Sequence, residues 1–355
     1  MSAILALIES GVGAVRPRTL PLEAARNLTL AEDVAASERP PLPIALRDGF
    51  AVDAATIGDA GPYAPVLLPS MARRDVGEPL PSDTDAVLPL DAVVLHADRA
   101  EAVAAIAAGE GVLRAGGDAT PQTPLRRAGE RVRAIDTAVM RAAEIKQVTV
   151  RVPRLHVVLA GEARSPTMQA ASATLTRVVD EAGGVITGPS TALKQALDDE
   201  EAAAVIALGG TGSGRRDAAV RTLARFGRLE AHGIAVSPGE TAGFGSAGSR
   251  PVLLIPGRLD AALSVWLMIG RHLVAKLAGG AVIDLPTMLP LKRKVTSTIG
   301  LTELIPVACV GGMAEPLASG YLSFESLTRS DGWIVVPADS EGFPAGAIVA
   351  MGSWP

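Results

Sequence analysis

Aromatic side chains are scarce in this sequence: Phe, Tyr and Trp together make up 3% of 355 residues. The core must therefore be aliphatic, and stacking platforms for single-stranded nucleic acid are few. Basic charge is not in excess either. With 33 Lys and Arg against 38 Asp and Glu, the net charge is −5, which argues against a nucleic-acid partner. Cysteine occurs once, at Cys309, so there is no intrachain disulfide and no Cys/His metal spacing. A reducing cytoplasm fits this usage. The four histidines, His96, His156, His232 and His272, stand singly and read as structural or surface residues. No apolar run reaches the ~20 residues that span a bilayer. The short apolar opening Ile4-Leu5-Ala6-Leu7-Ile8 closes on Glu9 without a basic region before it. It reads as an amphipathic helix, not a signal peptide.

What is abundant is aliphatic: hydrophobic residues make up 48% of the chain, enough for a sizeable core. At roughly 100–200 residues per domain the length predicts two to four domains. The sequence is read as an α/β multi-domain protein. Residues 1–40 and 119–152 form a helical and linker domain, with helix, turn and helix over 1–37 and a further helix over 135–144. Residues 41–118 form a β-rich inserted domain, opened by Pro40-Pro41-Leu42-Pro43 and carrying short strands near 86–90 and 92–95, with 102–106 open between strand and helix. Residues 153–282 form a central α/β domain. Its apolar runs at 155–160, 185–187, 204–208 and 252–255 are short, as buried strands should be. They alternate with helices over about 168–182, 191–200, 216–226 and 259–278, and a further strand lies near 228–236. That alternation argues a parallel sheet. Residues 283–355 change period again and read as a small C-terminal β-barrel with strands near 332–337 and 347–351.

In an open parallel sheet, ligands bind beyond the carboxyl ends of the strands. Three loops are placed there. The first is Gly209-Gly210-Thr211-Gly212-Ser213-Gly214, between the run 204–208 and a helix. Glycine N–H groups are unshielded by side chains, and the following helix N-terminus favours negative charge. The loop is neither a Walker loop nor Gly-x-Gly-x-x-Gly. It predicts a site for a small anionic ligand. The second loop is Ser237-Pro238-Gly239-Glu240 and the third is Pro256-Gly257-Arg258. Arg258, at a helix start, is a candidate for bidentate pairing with a phosphate. Asp217, in the first turn after the glycine loop, is a candidate metal ligand beside a bound phosphate. Asp48 in Arg47-Asp48-Gly49-Phe50 and Asp118 in Gly116-Gly117-Asp118 are glycine-flanked acids, a pattern that turns and catalytic sites share.

Taken in order, these pieces resemble the molybdopterin molybdenumtransferase family, the MoeA proteins and the gephyrin E domain, over nearly the whole chain. Leu30-Ala31-Glu32-Asp33-Val34, Asp48-Gly49-Phe50-Ala51-Val52 and Gly117-Asp118 resemble family motifs of the first half. Gly209 to Gly214 with Asp217 is similar to the family's Gly-Gly-Val-Ser-Val-Gly-x-x-Asp loop. Ser237-Pro238-Gly239, Phe244-Gly245, Ile255-Pro256-Gly257, Ser319-Gly320, Arg329-Ser330-Asp331-Gly332 and Ser340-Glu341-Gly342 continue the series. The resemblance implies a homodimer that inserts molybdate into adenylylated molybdopterin with Mg²⁺, releasing AMP. It implies catalytic roles for Asp48, Asp118 and Asp217, with the two former reaching the site from the second subunit. It also implies possible partners among other molybdenum-cofactor assembly proteins or a molybdoenzyme.

Departures cluster on side-chain chemistry. The family's Gly-Asp-Glu turn stands here as Gly161-Glu162-Ala163, and its Asp-x-Asn is replaced around Gln169-Ala170-Ala171. Ser237 and Glu240 occupy positions of two family lysines, Arg258-Leu259 that of Asn-Pro, and Pro43-Ile44-Ala45 that of Asp-Asn-Ser. Three readings follow, the first two being a divergent molybdenumtransferase and a non-catalytic paralogue that carries molybdopterin or finished cofactor. A purely structural partner in cofactor assembly is the third.

Overall fold

A computed structural model describes residues 1–160, 165–190, 192–214 and 217–355. The chain folds into two compact units. One comprises Met1–Glu32, Ala128–Ala134 and Gln147–Pro355, the other Asp33–Arg127 and Ile135–Lys146.

The first unit is built on a six-stranded sheet. Val185–Ser190, Arg154–Leu159, Ala204–Leu208 and Arg250–Ile255 lie side by side in parallel. The inner strands are continuous apolar runs because both faces are covered: every residue of Ala204–Leu208 is buried. Pro166–Glu181 and the helical stretch Leu259–Leu277 cover one face with the core around Leu155, Ile206, Leu253 and Trp266. Leu193–Leu197 and Ala219–Phe226 cover the other, over Val158, Val205 and Leu254. Two strands, Gly243–Ala247 and Arg228–His232, extend the sheet antiparallel. The first carries no sequence signal, since Gly-Phe-Gly-Ser-Ala lacks an apolar run. Its glycine is a packing requirement, because a Cβ on Gly245 would lie 2.1 Å from the Arg228 carbonyl oxygen.

The N-terminal helix Ser2–Gly11 buries Ile4 and Ile8 in the same core. The second of the two helices expected within 1–37 is replaced by extended chain. Pro17–Pro21 pairs antiparallel with Gln147–Arg151, which also pairs with Thr29–Leu30, and Leu22–Ala25 is a single 3-10 turn. The apolar residues that suggested a helix are buried all the same, Leu22 and Ala25 on the 3-10 turn, Leu28 beside it and Leu30 in the strand paired with Val150.

The C-terminal part forms a sheet ordered Val236–Ser237, Thr302–Val310, Gly332–Val336, Ile348–Ser353, Thr287–Pro290, with Met313–Pro316 paired to Thr302–Val310. Leu291, Ile305, Val307, Ile334 and Val349 form its core. The second unit is β-rich as expected. Gly49–Val52 pairs with Arg73–Arg74 and Ala86–Pro89, and Ala100–Ala102 with Val66–Leu67 and Val93–Leu95. The segment left open between strand and helix is thus extended at its start. The helix Ala134–Ala142 matches the expected one at 135–144. Among the described residues no helix is long and apolar enough to cross a membrane.

Candidate functional site

The glycine loop leaves the carboxyl end of Ala204–Leu208, and its first two residues have positive φ, 87° at Gly209 and 67° at Gly210. The Gly209 N–H donates to the Ile255 carbonyl at 2.8 Å, tying the loop to the end of the next strand. A Cβ on Gly210 would stand 2.8 Å from the Ala160 carbonyl oxygen, so glycine is required there for both conformation and space. The Gly210 carbonyl accepts the Ala219 N–H at 3.0 Å, which starts the helix Ala219–Phe226. Thr211 is buried, with its hydroxyl 3.0 Å from the Thr241 hydroxyl and its carbonyl 2.9 Å from His232 Nε2.

Asp217 closes the loop on itself. Its Oδ2 accepts the Gly214 N–H at 2.9 Å, while its own N–H donates to the Gly214 carbonyl at 3.0 Å. A Cβ on Gly212 would meet that oxygen at 2.7 Å, and one on Gly214 at 2.9 Å. Both glycines therefore make room for the carboxylate. The N–H groups of Gly209 and Gly214 are engaged within the fold. Among the described residues nothing accepts the N–H groups from Gly210 to Ser213, so these remain to an anion, together with the exposed Ser213 hydroxyl.

The other two loops reach the same end of the sheet by different routes. Pro256-Gly257-Arg258 follows Arg250–Ile255 directly, and Gly257 packs against Gly209, with its ideal Cβ 3.4 Å from the Gly209 Cα. Ser237-Pro238-Gly239-Glu240 follows Val236–Ser237, which pairs with Thr302–Val310 of the C-terminal sheet rather than with the α/β sheet. It arrives because Gly243–Ala247 runs antiparallel to Arg250–Ile255, with Gly243 opposite Leu254. Thr241 then bonds Thr211.

Charge in this cluster differs from the expectation. The Arg258 Nε and Nη2 donate to Asp260 at 3.0 and 2.5 Å, so the fork expected to grip a phosphate is held by a buried carboxylate. Asp260 raises the Arg258 pKa above its ordinary value. The guanidinium also stacks 5.1 Å from the Tyr321 ring centroid. Burial pushes Glu240 upward, but hydrogen bonds from Ser237 and from the Glu240 and Gly239 N–H groups, with the Arg258 charge, leave its pKa lowered. Thr241, Asp260 and Tyr321 were not singled out in the sequence, and His232 was read there as a structural or surface residue. Thr241, His232 and Tyr321 enter by tertiary contact, while Asp260 lies two residues from Arg258.

Asp48 and Asp118 belong to the second unit, whereas Asp217 and the three loops belong to the first. Asp48 is exposed, and its Oδ1 accepts the Val76 N–H at 2.9 Å. The adjoining Gly49 is fixed by pairing, since its Cβ would fall 2.2 Å from the Leu88 carbonyl oxygen. Asp118 is exposed after the tight Gly116-Gly117 turn, and its N–H donates to the Arg39 carbonyl at 2.9 Å. Among the described residues no group of three or more His, Cys, Asp or Glu is arranged to hold a metal ion. The altered turn Gly161-Glu162-Ala163 lies outside the described residues.

Three family models match the chain in order. Residues 1–143 match the "MoeA N-terminal region (domain I and II)", 162–276 the "Probable molybdopterin binding domain", and 288–353 the "MoeA C-terminal region (domain IV)". Molybdopterin molybdenumtransferase 1 of Mycobacterium tuberculosis is 27% identical over 383 residues, covering 92% of this chain and 85% of that protein. A Methanocaldococcus jannaschii protein named for molybdopterin biosynthesis, MJ0666, is 32% identical over 162 residues. That match takes in 44% of this chain and spans only 37% of the relative's length. In structure, the molybdopterin biosynthesis MoeA protein of Pyrococcus horikoshii superposes with a TM-score of 0.79 at 21% identity, over 99% of both chains. A molybdenum cofactor biosynthesis protein of Pyrococcus furiosus gives 0.63 at 18% identity, over 99% of this chain and 98% of that one.

Proposed function

The chain belongs to the MoeA family of molybdenum-cofactor biosynthesis, and from that premise we propose that it acts as a molybdopterin molybdenumtransferase on adenylylated molybdopterin and molybdate. The observation that carries this reading is the Gly209–Gly214 loop, clasped by Asp217 and packed on Gly257. The N–H groups of Gly210 to Ser213 hold a phosphate oxygen of the substrate. Fixed donors of this kind stabilise developing negative charge without reorganising. Asp217 keeps the loop open to the anion, and its carboxylate would be the protein ligand for Mg²⁺. A single carboxylate together with substrate phosphates is a normal ligand set for that ion. When bound, Mg²⁺ offsets the charge of the pyrophosphate whose hydrolysis releases AMP. Asp48 and Asp118, exposed on the β-rich unit, serve the site of a second copy in a homodimer. The protein works in the cytoplasm.

A second reading is a non-catalytic carrier of molybdopterin or finished cofactor. It is favoured by the carboxylate of Glu240 in the site and by the engagement of Arg258 with Asp260. Incubating the purified chain with adenylylated molybdopterin, molybdate and Mg²⁺ separates the two. The transferase releases AMP, and Asp217→Ala abolishes that release. Tight pterin binding without AMP release sinks the transferase reading and leaves the carrier.

A further inference from the structure

Outside the loop cluster, three side chains distant in sequence meet on one face of the α/β sheet. His156 Nδ1 lies 2.6 Å from Asp199 Oδ2, and His156 Nε2 lies 3.0 Å from Ser190 Oγ. A carboxylate cannot donate, so the proton between His156 and Asp199 sits on Nδ1. That fixes the tautomer whose Nε2 lone pair faces the Ser190 hydroxyl. Both contacts fall within the reach that defines a nucleophile, its base and the group orienting the base.

The fold holds each member in place. His156 stands within Arg154–Leu159, with its side chain 12% exposed. Ser190 ends the edge strand Val185–Ser190, with the helix Leu193–Leu197 following shortly after. Asp199 lies just past that helix. Its turn is fastened by the Arg250 guanidinium, which donates to the Asp199 and Leu197 carbonyls, while Asp199 Oδ1 accepts the Glu201 N–H at 3.1 Å. The hydrogen bond to His156 outweighs burial and keeps the Asp199 carboxyl below its ordinary range. Gly188 has positive φ and is closely packed here, since a Cβ would stand 3.1 Å from the Val157 carbonyl oxygen, 3.3 Å from the Ser190 nitrogen and 3.5 Å from His156 Cδ2.

We propose that Ser190, His156 and Asp199 form a nucleophilic relay that gives this chain serine-hydrolase reactivity toward short-chain carboxylic esters. Ser190 Oγ bonds the ester carbonyl carbon as its proton passes to His156 Nε2. The carbon–alkoxide bond breaks, and the imidazolium returns the proton to the departing alkoxide. Water then repeats the sequence on the acyl-serine, freeing the carboxylic acid and the serine. A short acyl group is specified because Gly188 and Pro189, which precede the serine, are exposed and offer it no apolar side chain beyond the proline ring.

The test is active-site labelling of the full chain with a fluorophosphonate, the adduct located by mass spectrometry, alongside hydrolysis of p-nitrophenyl acetate. One adduct on Ser190 is expected, lost in Ser190→Ala. His156→Gln and Asp199→Asn should each slow labelling and hydrolysis about 10²–10⁴-fold. Ser190→Cys supplies a second readout that leaves the histidine and aspartate in place. Its thiol should react with iodoacetamide well ahead of the exposed Cys309 in the same molecule. The proposal is overturned by a folded chain unlabelled at Ser190, by labelling indifferent to His156→Gln and Asp199→Asn, or by a thiol at that position no faster than Cys309. Each of these makes the three side chains a clasp for the edge strand only.

Discussion

Gly210→Ala measures how tightly the glycine loop is built into the sheet. Two costs are separable. A Cβ in the left-handed region costs about 1–2 kcal/mol, offset by about 0.4–1 kcal/mol from the restricted unfolded chain. The new methyl would also lie 2.8 Å from the Ala160 carbonyl oxygen, which is backbone and cannot rotate away. Forcing such a contact apart adds about 1–3 kcal/mol. Gly248→Ala is the matched control: its φ is +60° and nothing lies within 4 Å of the new Cβ. It carries the conformational cost alone. The difference between the two variants should therefore be about 1–3 kcal/mol. Calorimetric melting should show Gly210→Ala lower than Gly248→Ala by about 2–12 °C. Hydrogen exchange should localise the damage at the Ala219 amide, which donates to the Gly210 carbonyl. Equal melting losses in the two variants would refute the close approach of the loop to Ala160.

Three further outcomes are expected. Burial, with the Arg271 charge, holds His272 below its ordinary pKa of 6.5, so below that pH the unfolded chain binds more protons and stability falls as pH drops. Melting temperatures should decline with acidification through that window, and His272→Gln should flatten the slope. A double-mutant cycle of Arg258→Ala and Asp260→Asn should return a coupling of about 0.5–3 kcal/mol in urea unfolding, while a null coupling would mean the observed pair is idle. Gly49→Ala should disrupt the pairing of Gly49–Val52 with Ala86–Pro89, read as faster amide exchange in those strands.

Legibility of the fold followed its physics. Ala204–Leu208 and Arg250–Ile255 are apolar throughout because they are covered on both faces, and such runs can be read from sequence. The glycine loop was readable because one residue type was repeated where backbone must be bare. Gly243–Ala247 was hidden, since its glycines answer to a neighbouring carbonyl rather than to a pattern. The strand Pro17–Pro21 was missed, and helix was read from Leu20 on, because its partner strand, Gln147–Arg151, is far along the chain. The same distance concealed the stacking of Arg258 on Tyr321 and the meeting of His156 with residues 34 and 43 positions away, whereas Asp260, two residues from Arg258, was near enough to be read as its partner. Side chains that act through tertiary partners leave no spacing to detect.

The central claim is that the Gly209–Gly214 loop, held open by Asp217, receives the phosphate of a pterin. Titration calorimetry of molybdopterin into the wild-type chain and Gly212→Ala tests it most directly. The new Cβ would displace the Asp217 carboxylate from the Gly214 N–H with no change of φ region. Affinity should fall at least tenfold, about 1.4 kcal/mol, with the melting temperature nearly unchanged. An unaltered dissociation constant would contradict the account and place the pterin elsewhere.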